Sequence, residues 1–255
     1  MLTLKKRVLS EFLASFILGF MGLGLVVPLS VHHYISDLYQ FSMLFGLIIA
    51  FVIIVFNPIS GAQFNPGVTL AMVLSGRQDK KELLPFCLAQ VGGWALGSGC
   101  IYLMFWNELR EFASSEAGNP VNLFFCHTSD IWSGVWLEFF GTAMMLVVIC
   151  ACIDKRIINK PGNALFPFAI ALYILFVVAF TGGYTGTALN MARDFGPRIS
   201  GFVYGLLNGY DVSQCFADGV WILYFFAPAC GAVAGTFFFD KVVSKLLPKA
   251  QEETR

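Results

Sequence analysis

Charged side chains are scarce in this sequence. Asp, Glu, Lys and Arg make up 13% of its 255 residues, about half of the roughly 25% found in soluble domains. Much of the surface therefore cannot face water. The formal net charge is zero, and no basic block is long enough to form a nucleic-acid arm, which argues against a polyanionic partner. Histidine is rare as well. His32, His33 and His127 fall in connecting segments and form no spaced ligand set. The seven cysteines have an odd count and no framework spacing, which argues against a disulfide scaffold. Most of them lie in apolar runs, where cysteine behaves as a small hydrophobe. Cys150 and Cys152 are too close together for a CxxC-type metal site. No nucleophile–base arrangement emerges, so the sequence reads as a non-enzyme that needs no cofactor.

What the chain has instead is apolar length. It is 57% hydrophobic, with a mean hydropathy of +0.73. A helix needs about 20 apolar residues to cross the hydrocarbon of a bilayer. Six segments meet that need: roughly 8–29, 38–57, 83–106, 131–153, 164–181 and 220–240. Lys5, Lys6 and Arg7 precede the first of them, as in a signal peptide. The run from Val8 to Pro28 is longer than a signal h-region, and its pattern recurs later, so it reads as a retained first helix. Two shorter stretches, 66–76 and 191–201, each follow a Gly-containing turn and are too short to span. Such stretches fit re-entrant half-helices, tolerated where they are buried in protein or line a polar cavity.

The chain also repeats itself. Ser10-Glu11-Phe12-Leu13 opens the first span, and Leu137-Glu138-Phe139-Phe140 lies near the start of the fourth. Gly61-Ala62-Gln63-Phe64-Asn65-Pro66-Gly67 leads into the first short stretch, and Gly186-Thr187-Ala188-Leu189-Asn190-Met191-Ala192 into the second. Glu11 and Glu138 stand 127 residues apart, Asn65 and Asn190 125 apart. Each half therefore holds three spans and one half-helix, over about 8–106 and 131–240. Three is odd, so the second half is inverted relative to the first, which is a transport architecture. The expected fold is an all-α membrane protein, residues 1–255 forming one channel domain. Basic residues orient it. Lys5, Lys6, Arg7, Arg77, Lys80, Lys81, Lys155, Arg156, Lys160, Lys241, Lys245, Lys249 and Arg255 fall on one side, and only Arg110, Arg193 and Arg198 on the other. That bias places both termini in the cytoplasm of a multi-pass cell-membrane protein.

Asn65 and Asn190 carry the chemistry. Asn is a favoured helix N-cap, using its side-chain oxygen, which leaves the amide NH₂ free to donate into a lumen. Inversion brings the two N-termini together near the midplane, each with roughly half a positive charge. Such a site takes oxygen lone pairs and repels cations, protons included. By contrast, Asn57-Pro58 and Asn119-Pro120 read only as helix-end or loop signals. Arg193 lies one turn on, and an arginine this near the membrane interior points to function. Glu11 and Glu138 are intramembrane acids at matched positions. They fit either a proton relay or, more simply, acceptors for loop amides left bare by the turns. Gly93/Gly97 and Gly231/Gly235 have GxxxG spacing, a helix-packing signal.

The paired segments, Ser60 to Thr69 and Gly186 to Arg198, resemble the two Asn-Pro-Ala loops of the aquaporin–glycerol facilitator family, and the resemblance runs from Glu11 to Gly235. Gly67 stands where the family usually has Ala, and Met191 where it has Pro. Proline presets the first helical position, whereas methionine does not lock it. The resemblance implies a homotetramer with one pore per subunit. It also implies an outer constriction formed by Arg193, Phe45, Val178 and Thr187, with Gly61 and Gly186 among the pore-lining residues and Glu11, Glu138 and Asp194 supporting the loops. A water-selective relative would carry histidine at Val178. A glycerol facilitator would usually carry an aromatic at Thr187. Asp194 and Arg198, within Arg-Asp-Phe-Gly-Pro-Arg, follow the glycerol branch, and Asp194 also suits a helix's first turn. The implied function is passive conduction of glycerol, water and similar small neutral solutes across a lipid bilayer. A strictly water-selective pore is the alternative, and a proton-coupled transporter is the alternative of another class.

Overall fold

The computed structural model describes residues 2–114, 118–157 and 165–248. Lys160, Lys249 and Arg255, and residue 164 at the start of the expected fifth span, lie outside the described residues. Among those described, six helical spans are long and apolar enough to cross a membrane. The described residues are all-helical in their regular structure.

Helix α1 (Leu4–Ile17) continues through π-helical turns at Leu18–Gly22 and Val27–Val31. It starts four residues before the apolar run, because Lys5, Lys6 and Arg7 are helix formers and Arg7 is anchored by an ion pair with Glu82. Helix α2 (Leu38–Ser60) is capped by Asp37, whose carboxylate accepts from the Gln40 amide at 2.8 Å. It ends at Gly61 with φ 95°, where an L-residue side chain is disfavoured. The short α3 (Pro66–Leu74) follows, then α4 (Leu83–Met104). The chain breaks at Phe105 and resumes as α5 (Trp106–Ser114), a surface helix that hydropathy does not reveal. The second half holds α6 (Ile131–Ile153), α7 (Leu165–Thr185) and α8 (Met191–Asn208). A single turn, α9 (Ser213–Phe216), leads to α10 (Trp221–Phe238). That helix runs on through a π-helical turn, Phe239–Val243, into α11 (Ser244–Leu246).

The glycine pairs explain how each half closes. A Cβ on Gly93 or Gly97 of α4 would lie 2.4 or 2.5 Å from the carbonyl oxygens of Phe12 and Phe16 in α1. On Gly231 or Gly235 of α10 it would lie 2.2 or 2.0 Å from those of Phe139 and Ala143 in α6. In each half the first and third spans thus cross at backbone contact, which only glycine permits. The outer faces stay apolar, with Leu88, Leu172, Phe176 and Phe180 largely exposed. In lipid such side chains cost nothing to expose.

Helix α8 corrects one expectation. It runs 18 residues, to Asn208, where 191–201 was expected. Gly201 does not stop it, because that glycine is a contact point: a Cβ there would meet the Val121 carbonyl at 2.8 Å. The stop is Gly209, at φ 70°. Helix α3, with nine residues, keeps the half-span length.

Candidate functional site

The loops before α3 and α8 share one unusual backbone. Gly61, Ala62 and Phe64 have φ of 95°, 46° and 38°, and their counterparts Gly186, Thr187 and Leu189 have 72°, 51° and 49°. Non-glycine residues adopt this region only under constraint. The buried acids supply it. Glu11 accepts from the amides of Gln63 at 3.1 Å and Phe64 at 2.7 Å. Glu138 accepts from those of Ala188 at 3.0 Å and Leu189 at 2.7 Å. With the amides turned toward the carboxylates, no described donor reaches the carbonyl oxygens of Ala62, Gln63, Thr187 or Ala188. Those residues line two cavities that share Phe64 and Asn65 in their walls.

The asparagines stand where those cavities join. Asn65 caps α3 at φ −146°, ψ 115°, and Asn190 caps α8 at φ −149°, ψ 113°. The Asn65 side-chain oxygen accepts from the Gly67 amide at 2.9 Å, and that of Asn190 from the Ala192 amide at 2.9 Å. Each amide nitrogen then donates across the two-fold: Asn65 to the Leu189 carbonyl and Asn190 to the Phe64 carbonyl, both at 2.8 Å. This corrects the expectation that each NH₂ is wholly free. One of its two protons is held by the opposite loop, which fixes the amide plane, and the other has no acceptor among the described residues.

Above the pair, a cavity of about 50 Å³ is lined by Phe45, Val178, Thr187 and Arg193 together with both asparagines. Arg193 donates to the Phe124 carbonyl at 2.8 Å, which aims its guanidinium. Thr187 shares a hydroxyl–hydroxyl bond of 2.8 Å with Thr181. Below the pair, a cavity of about 180 Å³ has one wall of Ile49, Ile53, Ile149, Ile170 and Ile174 and another formed by the loop from Gly61 to Asn65. It shares Gln63, Met72 and Ile153 with a wider cavity of about 980 Å³ that Arg77 and Asp154 also border. There the hydrogen-bonded Arg156 guanidinium holds the Asp154 carboxyl below its ordinary range.

The sequence profile of the major intrinsic protein family matches residues 1–239. This chain belongs to that family. The glycerol uptake facilitator protein of Escherichia coli K12 is 30% identical over 260 residues, covering 96% of this chain and 91% of that protein. The propanediol uptake facilitator of Citrobacter freundii is 28% identical over 262 residues, covering 96% and 95%. The crystal structure of the aquaglyceroporin from Plasmodium falciparum superposes with a TM-score of 0.84 at 26% identity, covering 96% of this chain and 98% of that one. Major intrinsic proteins are passive channels and not enzymes, and this chain is a multi-pass membrane channel for small solutes.

Within this major intrinsic protein, Asp194 does more than complement a helix dipole. It accepts from the Cys126 amide at 2.8 Å and from Arg198 Nε at 2.7 Å. Arg198 then reaches the carbonyls of Cys126, Gln214 and Cys215 at 2.7, 2.9 and 3.0 Å, and lies over the Phe125 ring at 4.4 Å. The pair pins the 120–127 segment beside Arg193. Of the histidines, His32 stacks on Tyr34, while His33 and His127 are exposed. Three participants escaped sequence reading: Gln90, which donates to Glu11 at 2.8 Å; Thr181; and Trp94, which donates to the Phe64 carbonyl at 3.1 Å. A polar residue in an apolar run flags Gln90. Nothing local distinguishes Trp94 from a lipid-facing aromatic.

Proposed function

We propose that this channel conducts glycerol and water by passive diffusion, with both termini cytoplasmic and four copies assembled around separate pores. The observation that carries the reading is the two-sided lumen. Isoleucines form one wall, and the other carries unpaired loop carbonyls and, at the midplane, the free protons of Asn65 and Asn190. A polyol has the same two sides. Its carbons lie along the isoleucines, its hydroxyls donate to the loop carbonyls, and its oxygens accept from the two amides and Arg193. A cation or excess proton instead meets two helix N-termini and a guanidinium. The printed names of the glycerol facilitator relatives support the substrate class.

Glu11 and Glu138 fit support of the loops better than proton coupling. Each buried carboxylate already accepts two loop amides and a further side-chain donor, Gln90 or Thr185. Uphill glycerol accumulation driven by a pH difference would overturn passive conduction. The strictly water-selective reading is favoured by one observation, the small constriction cavity of about 50 Å³ beside a Thr187 that offers no aromatic wall. Stopped-flow light scattering on proteoliposomes decides between them. Glycerol flux well above that of empty liposomes is expected, and glycerol flux at the empty-liposome level with rapid water flux would make this a water channel. Native mass measurement in detergent tests the tetramer, and protease accessibility of the termini in oriented vesicles tests the topology.

A further inference from the structure

The geometry points to Trp94 as a selectivity-determining residue of the pore, an aromatic wall at the midplane that stands in for the one missing at the outer constriction. This rests on the polyol-channel reading. Trp94 borders the same cavity as Asn65, Asn190, Phe45 and Arg193. Its backbone is wedged in place: a Cβ on Gly19 would lie 2.9 Å from the Trp94 carbonyl, and a Cβ on Gly196 2.7 Å from the Trp94 Cβ. Two close approaches by glycine therefore make room for this residue, one from the π-helical turn that follows α1 and one from α8.

Its polar end is equally fixed. Trp94 Nε1 donates to the Phe64 carbonyl at 3.1 Å, the same oxygen that takes the Asn190 amide at 2.8 Å. The opposite half lacks this arrangement. Trp94 follows Gly93 as Ala232 follows Gly231, and among the described residues the Leu189 carbonyl accepts from the Asn65 side chain alone. Symmetry of the fold does not call for an indole here, so the indole answers to something in the lumen.

Two consequences follow. The second donor on Phe64 locks the carbonyl that orients Asn190, so the free Asn190 proton points one way. The ring also presents a flat apolar surface at the level where both asparagines donate. A solute held there by its oxygens rests its carbon edge on the ring. Glycerol has such an edge and water does not. Trp94 therefore favours glycerol over water and excludes solutes wider than the slot it leaves.

The test compares Trp94→Phe, Trp94→Leu and Trp94→Ala with the unaltered channel in proteoliposomes, with flux per reconstituted channel measured for water, glycerol and a five-carbon polyol. Losing a stacked apolar contact lowers the glycerol-to-water flux ratio about fivefold in Trp94→Leu and Trp94→Ala. Trp94→Ala additionally admits the five-carbon polyol. Trp94→Phe keeps an aromatic wall and retains most of the ratio. A purely structural tryptophan would lower all fluxes together and leave the ratio unchanged. If Trp94→Ala does not fold, the Phe and Leu variants still give the ratio. A ratio unchanged in the Leu variant, with unaltered channels passing glycerol, overturns the assignment. Absence of glycerol flux in the unaltered channel overturns the polyol reading instead.

Discussion

Asn65 and Asn190 cap their half-helices at nearly identical dihedrals, φ −146° and −149°, yet the two loops are fastened to different parts of the molecule. The first is tied inward. Glu11, Gln90, Gln63 and Thr69 form one hydrogen-bonded group beneath it, with Trp94 above. The second is tied outward as well, since Asp194, Arg198 and Arg193 hold the 120–127 segment over the constriction. Repeat symmetry fixes the backbone that conduction needs. Each half then uses its own side chains to hold that backbone.

Cutting the outward tie gives the largest expected effect. Arg198 and Asp194 are 0% and 1% exposed. Arg198→Ala strips a buried carboxylate of its partner and three carbonyls of their donor, and removing one side of such a pair costs about 3–5 kcal/mol. The thermal unfolding midpoint in detergent should drop by many degrees. The half-exposed Arg77–Asp240 pair is the control. It is bidentate, at 2.6 and 2.9 Å, where Arg198 meets Asp194 through Nε alone, but Arg77→Ala should cost no more than about 1 kcal/mol. Equal losses in the two variants would show that the outer tether contributes nothing special.

Next comes the midplane. Asn190→Ala removes a cap worth about 1 kcal/mol and also the proton that faces the lumen. Glycerol and water conductance per channel should both fall sharply while the protein remains assembled. Asn65→Ala should behave alike, because the two amides exchange matching bonds across the two-fold. A variant of Asn190 that folds and conducts normally would eliminate the midplane site, and one asparagine mattering far more than the other would break the symmetry.

Much of this arrangement was legible in the sequence, and the part that was not has a common cause. Apolar length gave the spans, and the matched Gly61–Gly67 and Gly186–Ala192 segments gave the inversion, because both signals are local. Gly93/Gly97 and Gly231/Gly235 gave the crossings by the same logic. The end of α8 was missed because Gly201 is a packing contact with Val121, a segment distant in sequence, and only that contact distinguishes it from a stop. Helix α5 was missed because nine residues are too few for a span and its charges mask its apolar face. Trp94 was missed because membrane helices carry aromatics on both lipid and lumen faces. Its face is set by Gly19 and Gly196, more than 70 residues away on either side.

The constriction is where the comparison turns on single side chains. Val178→His should narrow and polarise the cavity that Val178 shares with Arg193 and suppress glycerol flux much more than water flux. Steric exclusion in single file is close to all-or-none. Thr187→Phe adds an apolar wall but must break the Thr181 hydroxyl bond of 2.8 Å. It should preserve glycerol passage or favour it relative to water, as flux ratios in proteoliposomes would show. A Val178→His channel that passes both solutes as before would move the selective step elsewhere.

The smallest effect is expected from making the two half-helices alike. Met191→Pro gives α8 the first residue that α3 already has in Pro66. Three conditions decide whether proline is accepted. The position must not need its amide, and the Asn190 cap accepts from Ala192 and Arg193 rather than from Met191. The preceding residue must be extended, and Asn190 at φ −149°, ψ 113° matches Asn65, which already precedes a proline. The position must also be helical, and α8 begins there. With all three met, the gain from a stiffer unfolded chain is about 0.4–1 kcal/mol. Against it stands the packing of a methionine side chain that is 8% exposed. The two nearly cancel, so the unfolding midpoint in detergent should shift by no more than about 2 °C, with the glycerol-to-water ratio unchanged. A changed ratio would mean that methionine itself shapes the lumen, and that the second half-helix differs from the first in its pore lining as well as in its fastening.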